Sequence, residues 1–107
     1  MLEIRIFQTA VRKQPFLEWQ NKLDGQADAK VTTRLNRLRL GNFGDCKIIG
    51  DGVSELRIDY GPGYRLYFGR YSSMIIVLLI GGDKSSQRRD INQAKRYWSE
   101  YKERISQ

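Results

Sequence analysis

Glu55, Arg57, Asp59, Arg65 and Tyr67 are spaced so that, if Gly61-Pro62-Gly63 folds one strand back on the next, all five share a parity. They then stand on one sheet face, and the opposite parity carries Leu56, Ile58, Tyr60, Tyr64, Leu66 and Phe68 as a core face. With the turn centred on Pro62, Arg57 is expected opposite Tyr67, Asp59 opposite Arg65, Leu56 opposite Phe68 and Tyr60 opposite Tyr64. Two guanidiniums, carboxylates and a phenol on one surface can grip an anion and move a proton. The plainer reading is a solvated face whose Asp59/Arg65 pair contributes roughly a few tenths of a kcal/mol. A second group of cations, Lys84, Arg88 and Arg89, follows Gly81-Gly82. A solvated helix start explains it equally well, but cations there are opposed by the helix macrodipole, and that frustration favours a binding role.

Composition narrows the chemistry. The 107 residues include no histidine and a single cysteine, Cys46, so a Cys/His zinc site and a histidine-based triad are excluded; no metal and no cofactor is expected. There is no G-x-x-x-x-G-K-[ST] run, which argues against nucleoside triphosphate binding. The longest apolar run, Met74 to Ile80, is far short of the ~20 residues that span a bilayer, and no basic stretch precedes an apolar one at the N-terminus. A cytoplasmic protein without a membrane partner is expected. Nineteen Lys+Arg against twelve Asp+Glu give a net charge of +7, the balance of a protein that meets a polyanion or an acidic partner. The excess is spread, +3 in residues 1–54 and +4 in 55–107.

The elements that must hold these side chains are legible in the periodicity. Leu2, Ile4 and Ile6 alternate as an opening strand. Pro15 starts a helix carrying Phe16, Trp19 and Leu23 on one face, broken at Asp24-Gly25; a second helix from about Gln26 carries Ala27, Val31, Leu35 and Leu38 and stops at Gly41. The two make a helical hairpin. Strands follow at Cys46–Ile49, Ser54–Tyr60, Tyr64–Tyr71 and Met74–Ile80, the last apolar on both parities and so expected at the centre of the sheet, covered by helix on one face. Beyond Gly81-Gly82, Ile91, Ala94, Trp98, Tyr101 and Ile105 mark a C-terminal amphipathic helix from about Gln87. Trp19 and Trp98 are expected in the core, and Cys46 as a small strand residue. The order β-α-α-β-β-β-β-α predicts an α+β fold, a mainly antiparallel sheet with the helical hairpin packed on it, in one domain spanning 1–107.

Gly52-Val53-Ser54-Glu55-Leu56-Arg57-Ile58, Gly61-Pro62-Gly63-Tyr64-Arg65-Leu66-Tyr67-Phe68 and Leu78-Leu79-Ile80-Gly81-Gly82-Asp83-Lys84-Ser85-Ser86-Gln87, with Asp90-Ile91 and Ala94, resemble the RelE/ParE toxin superfamily. More narrowly, they are similar to its HigB-like "addiction module killer protein" group. Gly41-Asn42-Phe43-Gly44-Asp45 and the Phe16/Trp19 helix extend the likeness over nearly the whole chain. The resemblance implies a RelE-like fold and the toxin half of a bacterial type II toxin-antitoxin pair. Its partner would be a cognate antitoxin, often a helix-turn-helix DNA-binding protein. RelE-like and HigB-like members cut messenger RNA on the ribosome, whereas ParE-like members poison DNA gyrase on a similar scaffold. A non-catalytic module that only binds its antitoxin is a third possibility.

A metal-independent endoribonuclease needs a base for the attacking 2′-hydroxyl, cations for the developing charge and an acid for the leaving 5′-oxygen. Glu55, Asp59, Lys84 and the tyrosines are the available proton-transfer groups. The resemblance assigns Arg65, in the Gly-Tyr-Arg strand, to phosphate stabilisation and places Lys84 where relatives carry another basic residue. Arg57 is a third charge, Tyr67 a candidate to stack on a base or donate a proton, and Arg88 and Arg89, with Arg57, candidates for RNA binding. Two departures stand out: Leu56-Arg57-Ile58-Asp59 lacks the lysines of the RelE-like strand, and the late catalytic tyrosine has no counterpart near the motif, since Tyr97 and Tyr101 lie far along the final helix.

Overall fold

The computed structural model describes residues 1–106, a compact α+β arrangement with a radius of gyration of 12.9 Å. Strand β1 (Glu3–Ile6) is followed by α1 (Pro15–Gln20) and α2 (Gly25–Arg39), then by β2 (Cys46–Gly50), β3 (Val53–Ile58), β4 (Tyr64–Ser72) and β5 (Ile75–Asp83). A 3-10 turn over Lys84–Ser86 leads into α3 (Gln87–Ile105). Pro15 opens α1, where its missing N–H costs nothing. Asp24 starts α2, its carboxylate accepting from the Ala27 N–H at 2.8 Å, so the residue expected to break one helix caps the next.

The sheet order is β1-β5-β4-β3-β2, with β1 parallel to β5 and the other pairs antiparallel. The middle strand is therefore β4, and the expected central place of the Met74–Ile80 run is corrected. That run is apolar on both parities because helices cover both of its faces and not one as expected. Ile76 and Leu78 join Leu56, Ile58, Leu66 and Phe68 against Phe16 of α1 and Val31, Leu35 and Leu38 of α2. Val77 and Leu79 join Val53 and Tyr67 against Phe7 and, from α3, Ala94 and Trp98.

Two features of the sheet differ from expectation. Gly81-Gly82 lie inside β5, not beyond its end. A Cβ on Gly81 would sit 2.2 Å from the Trp19 ring, and one on Gly82 1.8 Å from the Asp90 carboxylate, so these glycines admit close packing and do not break the strand. The β3–β4 register is also shifted by two: Leu56 pairs with Leu66, Arg57 with Arg65, Glu55 with Tyr67 and Ile58 with Tyr64. The ladder stops at Ile58, and the five residues Asp59–Gly63 make the connection, closed by Gly63 N–H donating to Tyr60 C=O at 3.1 Å with Gly61 at φ +57° and Gly63 at φ +79°. Asp59 is thus outside the ladder and does not face Arg65. A two-residue shift leaves the faces unchanged, so the parity assignment survives the wrong pairing.

Among the described residues no helix is long and apolar enough to cross a membrane, and no group of three or more His, Cys, Asp or Glu is placed to hold a metal ion.

Candidate functional site: an arginine pair over a buried glutamate

Arg57 and Arg65 are direct cross-strand neighbours on the face that α3 partly covers. The β4–β5 register sets Arg65 beside Gly82 and Tyr64 beside Asp83, which brings Lys84, the first residue after β5, next to the start of β4. A hollow of about 250 Å³ results, lined by Asp45, Arg57, Asp59, Gly63, Arg65 and Lys84. The backbone under it is pinned twice: Arg57 N–H donates to Asp45 C=O at 2.9 Å, and Arg34 of α2 donates to the carbonyls of Arg57 (2.5 Å) and Phe43 (3.2 Å).

Like charges directly opposite on a sheet repel, and Glu55 answers that repulsion. Its side chain is wholly buried, yet both oxygens are occupied: Oε1 accepts from Arg57 Nε at 2.9 Å, and Oε2 from Tyr67 Oη at 2.9 Å and Gln87 Nε2 at 2.8 Å. Arg65 Nε lies 3.8 Å from Oε2, at ion-pair range, and is the one buried side-chain polar atom without a hydrogen-bond partner among the described residues. Burial pushes the Glu55 pKa up, but the hydrogen bonds from Gln87, Arg57 and Tyr67 and the Arg57 charge outweigh it, leaving the carboxyl below its ordinary range.

Tyr67 is fully buried, and burial together with its bond to Glu55 pushes the phenol far above its ordinary pKa. The expected stacking or proton-donating role of Tyr67 is corrected accordingly: α3 covers the ring, which has no open face for a base, and its hydroxyl is committed to Glu55. Glu55, similarly sealed, cannot touch a ligand in the hollow. Asp59, Lys84 and Asp45 remain as exposed groups there that can exchange protons.

Arg88 and Arg89 are exposed in the first turn of α3 and line a separate hollow with Ser85, Ser86 and Asn92. Lys84 does not share it, so the three neighbouring cations divide between two surfaces. The unfavourable macrodipole is offset locally by carboxylates. Asp83 accepts from the Ser85 hydroxyl and backbone N–H, which lowers its pKa. Asp90, packed on Gly82 and hydrogen-bonded by the Ser86 hydroxyl, has its pKa raised by burial.

The late tyrosines stay away from the hollow. Tyr97 stacks on Phe7, and Tyr101 stacks on Trp98 while accepting from Arg5 at 3.0 Å. Trp98 is core, its ring over Gly69, and Trp19, on α1, is half-buried against the core. Cys46 is a half-buried free thiol of β2. Sequence reasoning missed Gln87 as a partner of Glu55 and Asp45 as a wall of the hollow. The parity shared by Glu55, Arg57, Arg65 and Tyr67 could have flagged a carboxylate between two arginines, but nothing local points to Gln87, 32 positions away.

No family model matches the chain. It is 51% identical over 81 residues to an uncharacterized protein of Haemophilus influenzae, an alignment that covers 75% of this chain and 82% of that protein. The chain belongs to the same family as that protein.

Proposed function

We propose that this chain, as a member of the family it shares with the Haemophilus influenzae protein, is the toxin of a type II toxin-antitoxin pair with a RelE-like fold. On this reading the two N-terminal helices are that fold's helical hairpin, and the activity is ribosome-dependent cleavage of messenger RNA. The observation that carries the reading is the meeting of Arg57, Arg65 and Lys84 in one hollow, from three elements and 28 positions of sequence. Two guanidiniums side by side match the non-bridging oxygens of a phosphodiester and the charge that grows on them when the 2′-hydroxyl attacks phosphorus. With Glu55 and Tyr67 sealed, Asp59 is the acceptor for the 2′-hydroxyl proton and Lys84 the donor to the departing 5′-oxygen. No metal takes part in this scheme. The cognate antitoxin, a helix-turn-helix DNA-binding protein, would neutralise the toxin.

The withdrawal of Tyr67 from the surface favours one alternative, a ParE-like gyrase poison that needs no acid-base pair. Induction in bacteria separates the two. The ribonuclease reading expects growth arrest relieved by the antitoxin, translation stopping first and new transcript ends within translated frames. DNA breaks and a DNA-damage response with intact transcripts would replace it with the gyrase reading. Unimpaired growth with abundant folded protein would remove the toxin assignment in that host.

A further inference from the structure

We propose that Glu55 is the positioning residue of the arginine pair: it never meets the ligand, but it decides which N–H groups of Arg57 and Arg65 are left to hold a phosphodiester. The inference rests on the reading of the hollow as an RNA phosphate site and deepens it by naming what sets its geometry. Arg57 spends its Nε on Glu55 Oε1, and no protein partner takes its two terminal amino groups among the described residues. Arg65 spends one terminal amino group on the Gly63 carbonyl at 2.7 Å and holds its Nε toward Glu55, leaving the other amino group without a partner among the described residues. Each guanidinium therefore has one side fixed by the protein and at least one amino group left over. The carboxylate that fixes them is itself locked from two directions, by Tyr67 of β4 and by Gln87 at the start of α3. Three hydrogen bonds to one buried carboxylate leave it no freedom to rotate, so the arginines are pre-organised before any ligand arrives.

The sign of one substitution distinguishes positioning from charge balance. If Glu55 only neutralised the arginines, removing its charge would make the hollow more positive and anions would bind tighter. If it positions them, Glu55→Gln loosens binding, because an amide has one acceptor oxygen where the carboxylate offers two, and its NH2 confronts other donors. The experiment compares the full chain with Glu55→Gln and Tyr67→Phe. The probe is a single-stranded RNA whose 2′-hydroxyls are methylated so that it cannot be cut, with affinity read by fluorescence anisotropy. The Arg57 and Arg65 Nε–H signals are read in parallel by 15N NMR without RNA. Expected are slowly exchanging, resolved Nε–H signals in the wild type, their collapse toward free-arginine positions in Glu55→Gln, and an RNA affinity 10- to 100-fold lower with the circular dichroism of a folded chain. In Tyr67→Phe, which keeps the charge and the ring, Nε–H exchange should quicken and affinity fall about threefold to tenfold; this variant carries the test if Glu55→Gln does not fold. Unchanged or tighter RNA binding by a folded Glu55→Gln, or unchanged Nε–H signals in both variants, would overturn the proposal. A wild type that holds its Nε–H signals but binds no RNA would instead defeat the phosphate-site reading and leave the role of Glu55 in holding the arginines standing.

Discussion

The two faces of the sheet use the same alternation for different ends. Toward α1 and α2, every buried residue of the cluster is apolar: Phe16, Val31, Leu35, Leu38, Leu56, Ile58, Leu66, Phe68, Ile76 and Leu78. Toward α3, the apolar packing of Phe7, Val77, Leu79, Ala94 and Trp98 shares its layer with Glu55, Asp90 and the Tyr67 hydroxyl, grouped where α3 begins. Burial of apolar area stabilises without conditions, whereas a buried carboxylate is tolerated only with its hydrogen bonds made. The first face is therefore the stabilising one. The second gives up some of that stability to hold charged groups in fixed places, as sites that bind or react commonly do.

The sharpest way to break this contrast is a pair of truncations. On the proposed ribonuclease reading, Arg65→Ala should cost roughly 3 to 4 kcal/mol of transition-state stabilisation, about 100- to 1000-fold in cleavage rate. Phe16→Ala, on the other face, should cost about 3 to 5 kcal/mol of folding stability with activity per folded molecule unchanged. Arg65 is not the freely exposed arginine that an open sheet face would carry, since its side chain is only 11% exposed. Arg65→Ala should accordingly lower stability as well, by about 1 to 3 kcal/mol, measurable by urea unfolding, and remain folded enough to assay. Equal losses of specific activity in both variants would erase the distinction between the faces.

Gly81→Ala tests whether the glycine pair serves packing. The added methyl must displace Trp19, and a cost of about 1 to 3 kcal/mol is expected by thermal unfolding. A neutral result would mean that Trp19 is free to swing away.

The two buried carboxylates should respond to pH in opposite senses. Glu55 has a lowered pKa in the folded state, so its contribution is present above the ordinary value of about 4.3 and is lost as pH falls through the folded value. Asp90 has a raised one, so its contribution is fullest below about 3.9 and is lost as pH rises through the folded value. Asp90→Asn keeps an acceptor for the Ser86 hydroxyl and should be more stable than wild type at pH 7, with the difference vanishing toward pH 3. Glu55→Gln should be less stable at pH 7, and its deficit should shrink in acid. Urea midpoints at pH 3, 5 and 7 check both slopes, and parallel curves for the two variants would contradict the assignments.

The smallest effect sharpens the site by contrast. Lys84 is exposed, so Lys84→Ala should change stability by less than about 0.5 kcal/mol while, on the proposed reading, reducing cleavage. A large drop in melting temperature would recast Lys84 as a structural residue.

How far the sequence discloses this arrangement depends on the range of the interactions. The stripe Ala27, Val31, Leu35 and Leu38 lies buried along α2 as its spacing predicts, because helical periodicity is local. The parity of Arg57, Arg65 and Tyr67 holds for the same reason. Their pairing does not, since nothing in Ile58-Asp59-Tyr60 marks where the ladder stops, and Gly61-Pro62-Gly63 is only part of the turn. The burial of Tyr67 is illegible too: alternation names a face but not which helix lies over it, and α3 arrives from another part of the chain. Gln87 reads as a helix start and acquires its partner only in three dimensions.

Backbone amide mapping with the uncleavable RNA is the most direct measurement of the claim that the α3-side hollow is the functional face. Adding the RNA to the folded wild-type chain should shift amides clustered at residues 55–59, 63–65 and 83–87 and leave those of α2 undisturbed. Shifts gathered instead on α2 and residues 46–48 of β2, or no shifts at all with folded protein, would contradict it.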